Sequence, residues 1–485
     1  MKKRILLILL AAVLVLSAAA CTKPAEKTNS DISSDIASLD SSAVDSSSSE
    51  NVLSSEGKSE ESSSNPSSSQ PASSNAASSQ PTQTPSNSNE EKLLIGAFCG
   101  IDPNYADEQH IKEAAEAGIH MLFIDAELRN AALLKMINQW CEKYGIKWLL
   151  TDPSLYGVGG HFNDIANITK NYASLSAFAG NIIRDEPGAD QFDVLGNAIS
   201  LYKKALPGKL GFINLLPTYA NSTTQLNAPN YQSYVDQYVA KVPTDYICVD
   251  FYPCTRLSDD TKTTLAGYCD NLDIVSTAAR KSGREFWSFI QTTTWSDGHR
   301  LPDETDIRWQ MYTNLAFGAT AMFHFTYSTP TGGGGESFKY AMIDKSGKKT
   351  DIYYAAQKVD AEFNAFSSVY MKYKSLGAFS HNSASASSYL TFKNQYKGFS
   401  TIKSVNCAEP LLIGCYESKT GSSKAFTVVN MSELSLNKST TVTLELANAK
   451  KVTSYQGGKA KVLTGNAGKY TINLACGEGA FVTVE

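Results

Sequence analysis

The chain begins with a long absence. No Phe, Tyr or Trp precedes Phe98, although aromatics make up 10% of the 485 residues. A stretch without one cannot assemble an ordinary core, which leaves about 394 residues after position 91 for one large and one small domain. Beyond Lys2-Lys3-Arg4 the basic residues are scattered in ones and twos, and the formal net charge of −5 with a pI near 5.8 supplies no cationic stripe. Nucleic acid is therefore not an expected partner. The nine cysteines contain no CxxC pair, and His161, His299 and His324 are too scattered to hold a metal, so neither a metal nor another cofactor is expected. Cys99 and Cys248 sit in apolar runs and read as buried thiols; a Cys407–Cys415 hairpin bridge is the exception to test.

The aromatic-free segment has its own logic. Lys2, Lys3 and Arg4 precede an apolar run from Ile5 to Leu16, too short to span a bilayer comfortably, and Ala18-Ala19-Ala20 offers a small-residue cleavage site. Cys21 follows at once, resembling a bacterial lipobox in which the cysteine becomes the lipidated N-terminus, with Ala18 in place of the more usual Leu. Residues 1–21 are thus expected to be a lipoprotein signal. Residues 22–91, roughly a third Ser, hold too little apolar surface to offset the entropy of ordering. A flexible linker of this length has a root-mean-square span of roughly 45–50 Å. The expectation is an exported, monomeric protein held on the outer face of a bacterial cytoplasmic membrane through a lipid anchor alone.

Beyond the linker, short β-branched or aromatic runs alternate with longer amphipathic stretches. Strands are predicted at 93–100, 120–126, 147–152, 179–185, 209–216, 245–251, 285–291 and 320–326. Helices are predicted at 108–117, 131–144, 192–205, 231–242, 260–282 and 305–318. Eight strand–helix alternations fit an α/β chain folded as a (β/α)8 TIM barrel over 92–374. An open doubly wound sheet would show a Gly-rich phosphate loop after its first strand, and Cys99-Gly100-Ile101-Asp102-Pro103 is not one. After about 375 the helical periodicity stops. Short alternating strands at 389–392, 411–417, 424–430, 440–446, 449–455 and 479–484 predict a C-terminal antiparallel β-sandwich over 375–485.

A TIM barrel carries its chemistry at the carboxyl ends of its strands. Strand four ends Arg184-Asp185-Glu186-Pro187-Gly188, where two adjacent carboxylates at the mouth are costly to desolvate, a setting that raises a pKa towards general-acid work. Asp125, Glu127 and Asp152 close strands two and three; Asn214 and Tyr219 follow strand five; Asp250 and Tyr252 close strand six. Gln291 and Trp295 follow strand seven, and His324 and Tyr327 strand eight. Tyr219, Tyr252, Trp287, Trp295 and Tyr327 offer flat faces for sugar rings, so Asn214, Tyr219, Tyr252, Gln291, Trp295 and Tyr327 are the expected substrate-binding set for a carbohydrate. The four-glycine run Gly332–Gly335, followed by Glu336, reads as a mobile flap.

Ile183-Arg184-Asp185-Glu186-Pro187, Asp250-Phe251-Tyr252-Pro253, Phe286-Trp287-Ser288-Phe289-Ile290-Gln291 and the run from Arg308 to Phe325 together resemble the clan A glycoside hydrolases. In particular they are similar to secreted barrel proteins of gut bacteria related to family-42 β-galactosidases. The resemblance implies hydrolysis of O-glycosidic bonds, with Glu186 matching the acid/base at the end of strand four. It also implies a nucleophilic Glu at the end of strand seven, where this chain carries Gln291 and has no Glu from Ser288 to Arg300. Three carboxylates could substitute. Asp250 is placed first, as a general base some 6.5–9.5 Å from Glu186 in an inverting reaction. Asp185 could instead orient a substrate acetamide while Glu186 protonates the leaving oxygen, and Asp297 is the third. The catalytic set is thus Glu186, Asp250 and Asp185. The competing function is a surface glycan-binding protein on a barrel that has lost its nucleophile.

Overall fold

A computed structural model of the chain describes residues 91–256, 262–295, 298–331, 337–383 and 388–485. The 1–21 leader with Cys21, the linker up to residue 90, Asp297 and the glycine run at 332–336 lie outside the described residues. Among the described residues no helix is long and apolar enough to cross a membrane.

Eight parallel strands close into a barrel: β1 (Leu94–Ala97), β2 (Met121–Ile124), β3 (Lys147–Leu150), β4 (Phe178–Asp185), β5 (Leu210–Leu215), β6 (Tyr246–Val249), β7 (Glu285–Gln291) and β8 (Ala319–Phe325). Each pairs with the next, and β8 returns to β1 with Ala97 opposite His324. The helices that follow them are α1 (Glu108–Glu116), α2 (Ala131–Tyr144), α3 (Ile165–Thr169), α4 (Phe192–Ala205), α5 (Tyr231–Lys241), α6 (Tyr268–Ser282), α7 (Glu304–Phe317) and α8 (Asp351–Asn364). The expected barrel is the observed one. Local chemistry sets its boundaries. Asn130 accepts from the Ala132 and Leu133 amides at 3.0 and 3.2 Å to start α2, and Gly145, in the left-handed region at φ 74°, ends it.

One departure in the barrel has a local physical cause. The helix expected from 260 starts only at Tyr268, because Cys254–Arg256 and Lys262–Thr264 pair as an antiparallel hairpin. The short α3 and the last barrel helix, α8, are additions to the sequence reading.

Strand alternation sorts the core into two layers. Phe123, Leu149, Ile182, Phe212, Tyr246, Trp287, Phe289 and Phe323 fill the barrel. Ile95, Leu122, Trp148, Ile183, Ile213, Ile247 and Ile290 face the helices. The interior is an aromatic plug: Phe123 meets Phe212 edge-on at 4.8 Å, and Trp287 stacks on Tyr246 at 3.8 Å and 5°. Each such ring contributes roughly 1.5–3 kcal/mol on burial, and together they leave a packed floor beneath the mouth.

The C-terminal part contains β9 (Tyr373–His381), β10 (Ile402–Asn406), β11 (Leu411–Ser418), β12 (Lys424–Asn430), β13 (Thr440–Leu446), β14 (Val452–Gln456), β15 (Lys459–Val462), β16 (Lys469–Leu474) and β17 (Gly479–Val484). A six-stranded sheet in the order β9-β11-β12-β17-β14-β15 faces a three-stranded sheet β10-β13-β16. Ile413, Phe426, Val428, Val442, Leu444, Ile472 and Val482 fill the space between them, forming the expected sandwich. The other face of the larger sheet covers α7, whose residues from Trp309 to Phe317 are all buried. Gly414 is what permits the approach, since a Cβ there would lie 2.2 Å from the Ala316 carbonyl oxygen.

The strand expected at 389–392 is instead a 3-10 turn at Ser388–Leu390. Its Tyr389 is buried, donating to the Met431 carbonyl at 2.7 Å, so burial rather than strand pairing explains the apolar run. The Cys407–Cys415 bridge does not form. Both thiols are free and buried, and Cys407 Sγ instead meets Thr440 Oγ1 at 3.1 Å.

Candidate active site

The site begins with an irregularity in β4. Ile182 lies opposite Phe212 and Asp185 opposite Asn214, but Ile183 and Arg184 share the single partner position of Ile213. Strict alternation would put Asp185 on the helix-facing side with Ile183; the bulge inserts one residue and returns it to the interior face with Asn214. Asn214 Nδ2 then donates to Asp185 Oδ1 at 3.2 Å.

The next residue breaks the strand. Glu186 has φ 48°, a left-handed conformation that costs a non-glycine residue about 1–2 kcal/mol. Its amide donates to the Asn214 carbonyl at 3.0 Å. Immediately beyond, Tyr234 of α5 donates its hydroxyl to the Pro187 carbonyl at 2.7 Å and accepts from the Leu216 amide at 3.3 Å, tying the ends of β4 and β5 together.

Asp250 leaves β6 on the interior face and is 4% exposed. Burial, and then the neighbouring Asp185 carboxylate, push its pKa up to about 8, against the opposing pull of Asn214 and Tyr252. Burial pushes Asp185 to about 6, opposed by the Asn214 hydrogen bond and the Arg184 charge. Two carboxylates in one poorly solvated place cannot both ionise cheaply, so their titrations separate. Three buried polar atoms beside them have no hydrogen-bond partner among the described residues: Asp250 Oδ1, Asn214 Oδ1 and the Tyr231 hydroxyl. Tyr231 was not anticipated. It opens α5, and its hydroxyl is pushed well up by burial and by Asp250.

The aromatic residues divide. Tyr219 is 38% exposed, its ring edge-on to Phe251 at 5.0 Å. Burial of its hydroxyl end, then Asp250 and Glu186, push that group well above its ordinary value. Tyr252 is buried within the fields of Asp250, Tyr219, Asp185 and Glu186. Asp185, Glu186, Asn214, Tyr219, Asp250 and Tyr252 are therefore brought together at the mouth, and Tyr156 joins them: its hydroxyl accepts from the Asp185 amide at 3.4 Å, and the Arg184 guanidinium lies 5.6 Å from its ring centroid.

Three expected binding residues do not present themselves. Gln291 is 0% exposed and its amide is spent on loop backbone. Its Oε1 accepts from the Cys254 amide at 2.9 Å, and Nε2 reaches the carbonyls of Arg300, Cys254 and Thr293 at 2.9, 3.3 and 3.3 Å. Trp295 is 3% exposed, stacked on His299 at 4.2 Å and edge-on to Tyr252 at 5.0 Å, so it props the mouth from behind. Tyr327 is fully buried and donates to the His110 carbonyl at 2.9 Å, turning towards α1. Trp287, expected on the rim, lies at the start of β7 and donates to Glu285 at 2.8 Å. Around the rim, Asp152 takes hydrogen bonds from Tyr172 and the Ser154 amide, whereas Asp125 is pushed up to about 7 by burial and by Glu127 and Asp102. His324 is paired with Asp360 of α8 at 2.8 Å, outside the barrel interior. Among the described residues no three His, Cys, Asp or Glu side chains converge to hold a metal ion.

The closed eight-stranded parallel barrel is the fold that the chain shares with the solved structures it resembles, glycoside hydrolases among them. The β-galactosidase model of glycoside hydrolase family 42 matches residues 216–366. A catalytic mutant of a family-42 β-galactosidase from G. stearothermophilus is 9% identical with a TM-score of 0.54, over 82% of this chain and 98% of that one. A family-5 glycoside hydrolase from Bacteroides vulgatus is 10% identical with a TM-score of 0.50, over 81% and 89%. At such identities the likeness is one of fold. The chain spans 60% of the β-galactosidase from Marinomonas ef1, with 56% of its own length covered, 10% identity and a TM-score of 0.42. No curated protein matches the chain.

Proposed function

We propose that this chain is a glycoside hydrolase that cleaves an O-glycosidic bond at the barrel mouth, with Glu186 as proton donor and Asp185 as its partner carboxylate. The observation that carries the reading is the Asp185–Asn214–Asp250 group, in which two carboxylates on nearby strands are pushed to different titration points, about 6 and about 8. Asp250 holds its proton at neutral pH and so is not suited to be the general base expected of it; it serves as a neutral neighbour that leaves Asp185 the only anion of the pair. Tyr219 supplies an exposed ring face for the sugar, with the buried Tyr252 behind the carboxylates. The leader and linker support a place on the outer face of the cell, with Cys21 as the lipid anchor; Cys21→Ser should then release the protein from the membrane fraction, and full retention there would remove the anchor.

A second reading has its own observation. The end of β7 offers Gln291, whose amide is already committed to backbone, so a barrel that binds glycans without cleaving them is the alternative. The test is a panel of aryl glycosides and glycans with the wild type and Glu186→Gln. A fall in turnover of about 10²–10⁴-fold in the variant is expected. Tight binding without wild-type turnover would favour the binding protein, and unchanged turnover in Glu186→Gln would remove Glu186 as the acid.

A further inference from the structure

Asp185 and Glu186 are joined by one peptide at the end of β4, and both carboxylates lie within electrostatic reach of Tyr156 and Tyr252 at the mouth. A double displacement through a protein carboxylate needs its nucleophile on the other face of the ring, about 5–5.5 Å from the acid. No described carboxylate stands there on β7, where Gln291 is locked to the Arg300, Cys254 and Thr293 carbonyls. Asp185, meanwhile, is half used: Oδ1 accepts from Asn214 Nδ2, and Oδ2 takes no hydrogen bond from any described residue. A fixed carboxylate with one free oxygen beside a proton donor is a grip for an N–H group.

We infer that the substrates are β-linked 2-acetamido-2-deoxy sugars, and that the substrate's own acetamide is the nucleophile, with Asp185 holding the acetamide N–H and Glu186 moving the proton. This rests on the hydrolase reading above. In the first step the acetamide carbonyl oxygen bonds to the anomeric carbon. The bond from that carbon to the glycosidic oxygen breaks, its electron pair leaving with the oxygen, which takes the Glu186 proton. Asp185 takes up the positive charge that develops on the amide nitrogen by accepting its hydrogen. In the second step water bonds to the anomeric carbon and gives a proton to Glu186. The bond from the anomeric carbon to the acetamide oxygen breaks and Asp185 returns the hydrogen to the nitrogen, restoring the acetamide with net retention. Only water is consumed. Because the acetamide must attack from the face opposite the leaving group, gluco- and galacto-configured substrates must carry the β linkage. Asn214 holds Asp185 at the required angle, and the neutral Asp250 beneath it adds no second anion that would loosen the grip.

The test uses the detergent-solubilised full chain and 4-nitrophenyl β-glycosides of glucose and galactose, each with a 2-hydroxyl or a 2-acetamido group, and a series in which the acetyl carries one to three fluorines. Expected are turnover confined to the acetamido substrates and a fall in kcat/KM of about 100-fold or more from acetyl to trifluoroacetyl, the scale on which a positioned catalytic group acts. Asp185→Asn, with its melting midpoint checked, should show a similar loss, while the fluorinated series on the wild type stands whether or not that variant folds. Equal turnover of 2-hydroxyl substrates, or a flat response to fluorination, would overturn the acetamide mechanism and leave the hydrolase reading intact. Absence of turnover on every glycoside would overturn both.

Discussion

Restoring a carboxylate at the end of β7 with Gln291→Glu looks like a repair, and the structure says it should fail. The two N–H groups of the Gln291 amide are shared among the carbonyls of Arg300, Cys254 and Thr293, at 2.9, 3.3 and 3.3 Å, in a fully buried setting. An ionised glutamate there would set a negative charge against three carbonyl oxygens, so it would take up a proton and return a single donor. Leaving buried carbonyls without donors, each worth about 1–3 kcal/mol, with the added cost of burying the acid, predicts a loss of about 4 kcal/mol. With an unfolding entropy of roughly 0.8 kcal/mol/K for about 390 residues, that is a fall of about 5 °C in melting midpoint. Calorimetry at fixed scan rate reads the midpoint, and an aryl glycoside assay reads turnover, which should not rise. A variant that melts within about 1 °C of wild type and hydrolyses faster would refute the argument, because Gln291 would then have to be free to face substrate.

The Asp185 and Asp250 carboxyls hold their protons in the folded chain at pH values where the unfolded chain has released them, so the folded state binds more protons and stability falls as pH rises from about 4 through 8. Asp250→Asn should flatten that slope in urea midpoints and gain in stability on the wild type as pH rises towards 8; a slope unchanged by the substitution would place the titration elsewhere. On the activity side, kcat/KM should rise through about pH 6 as Asp185 ionises and fall near 8 as Asp250 does; a profile flat from 5 to 9 would refute the roles given to the pair. Asp306→Asn should be costly by about 3–5 kcal/mol, because it breaks the buried pair with Arg300, at 2.7 Å, that anchors the β7–α7 loop on which Gln291 depends; a wild-type melting curve would count against it.

Most of the barrel was legible because each strand is a short apolar run and each helix has its own start and stop. β7 was read to the residue, since Glu285 and Gln291 bracket five apolar or small residues. The site was less legible, for specific reasons. The β4 bulge carries no local signature, so nothing in Ile182-Ile183-Arg184-Asp185 announces that Asp185 returns to the interior face. Gln291's partners are backbone carbonyls, one of them 37 residues distant, which no side-chain pattern reports. Trp287 was misplaced by residue type; its position at the amino end of a parallel strand already assigned it to the floor. Tyr231 and Tyr234 were recoverable, since their three-residue spacing puts both on the barrel-facing side of α5, where both are buried.

The costs in this fold gather at one place. Glu186 is held at φ 48°, and β4 gives up a regular register just before it. Among the described residues, Asp250 is buried with no cation paired to it, and a tyrosine hydroxyl beside it has no hydrogen-bond partner. Each expense is of order 1–3 kcal/mol, against about one for each of the hydrogen bonds from Tyr234 and from the Glu186 amide that stabilise the turn. A surface that only gripped hydroxyl groups would be served by relaxed asparagines and aromatics, which keep their hydrogen-bonding at any pH. Strain at the proposed proton donor, together with two carboxyls pushed to different titration points, suits a reaction in which a proton must wait on one side and leave on the other. That asymmetry is why the pH dependence of turnover, more than affinity for any one glycan, distinguishes a hydrolase from a binding protein on this barrel.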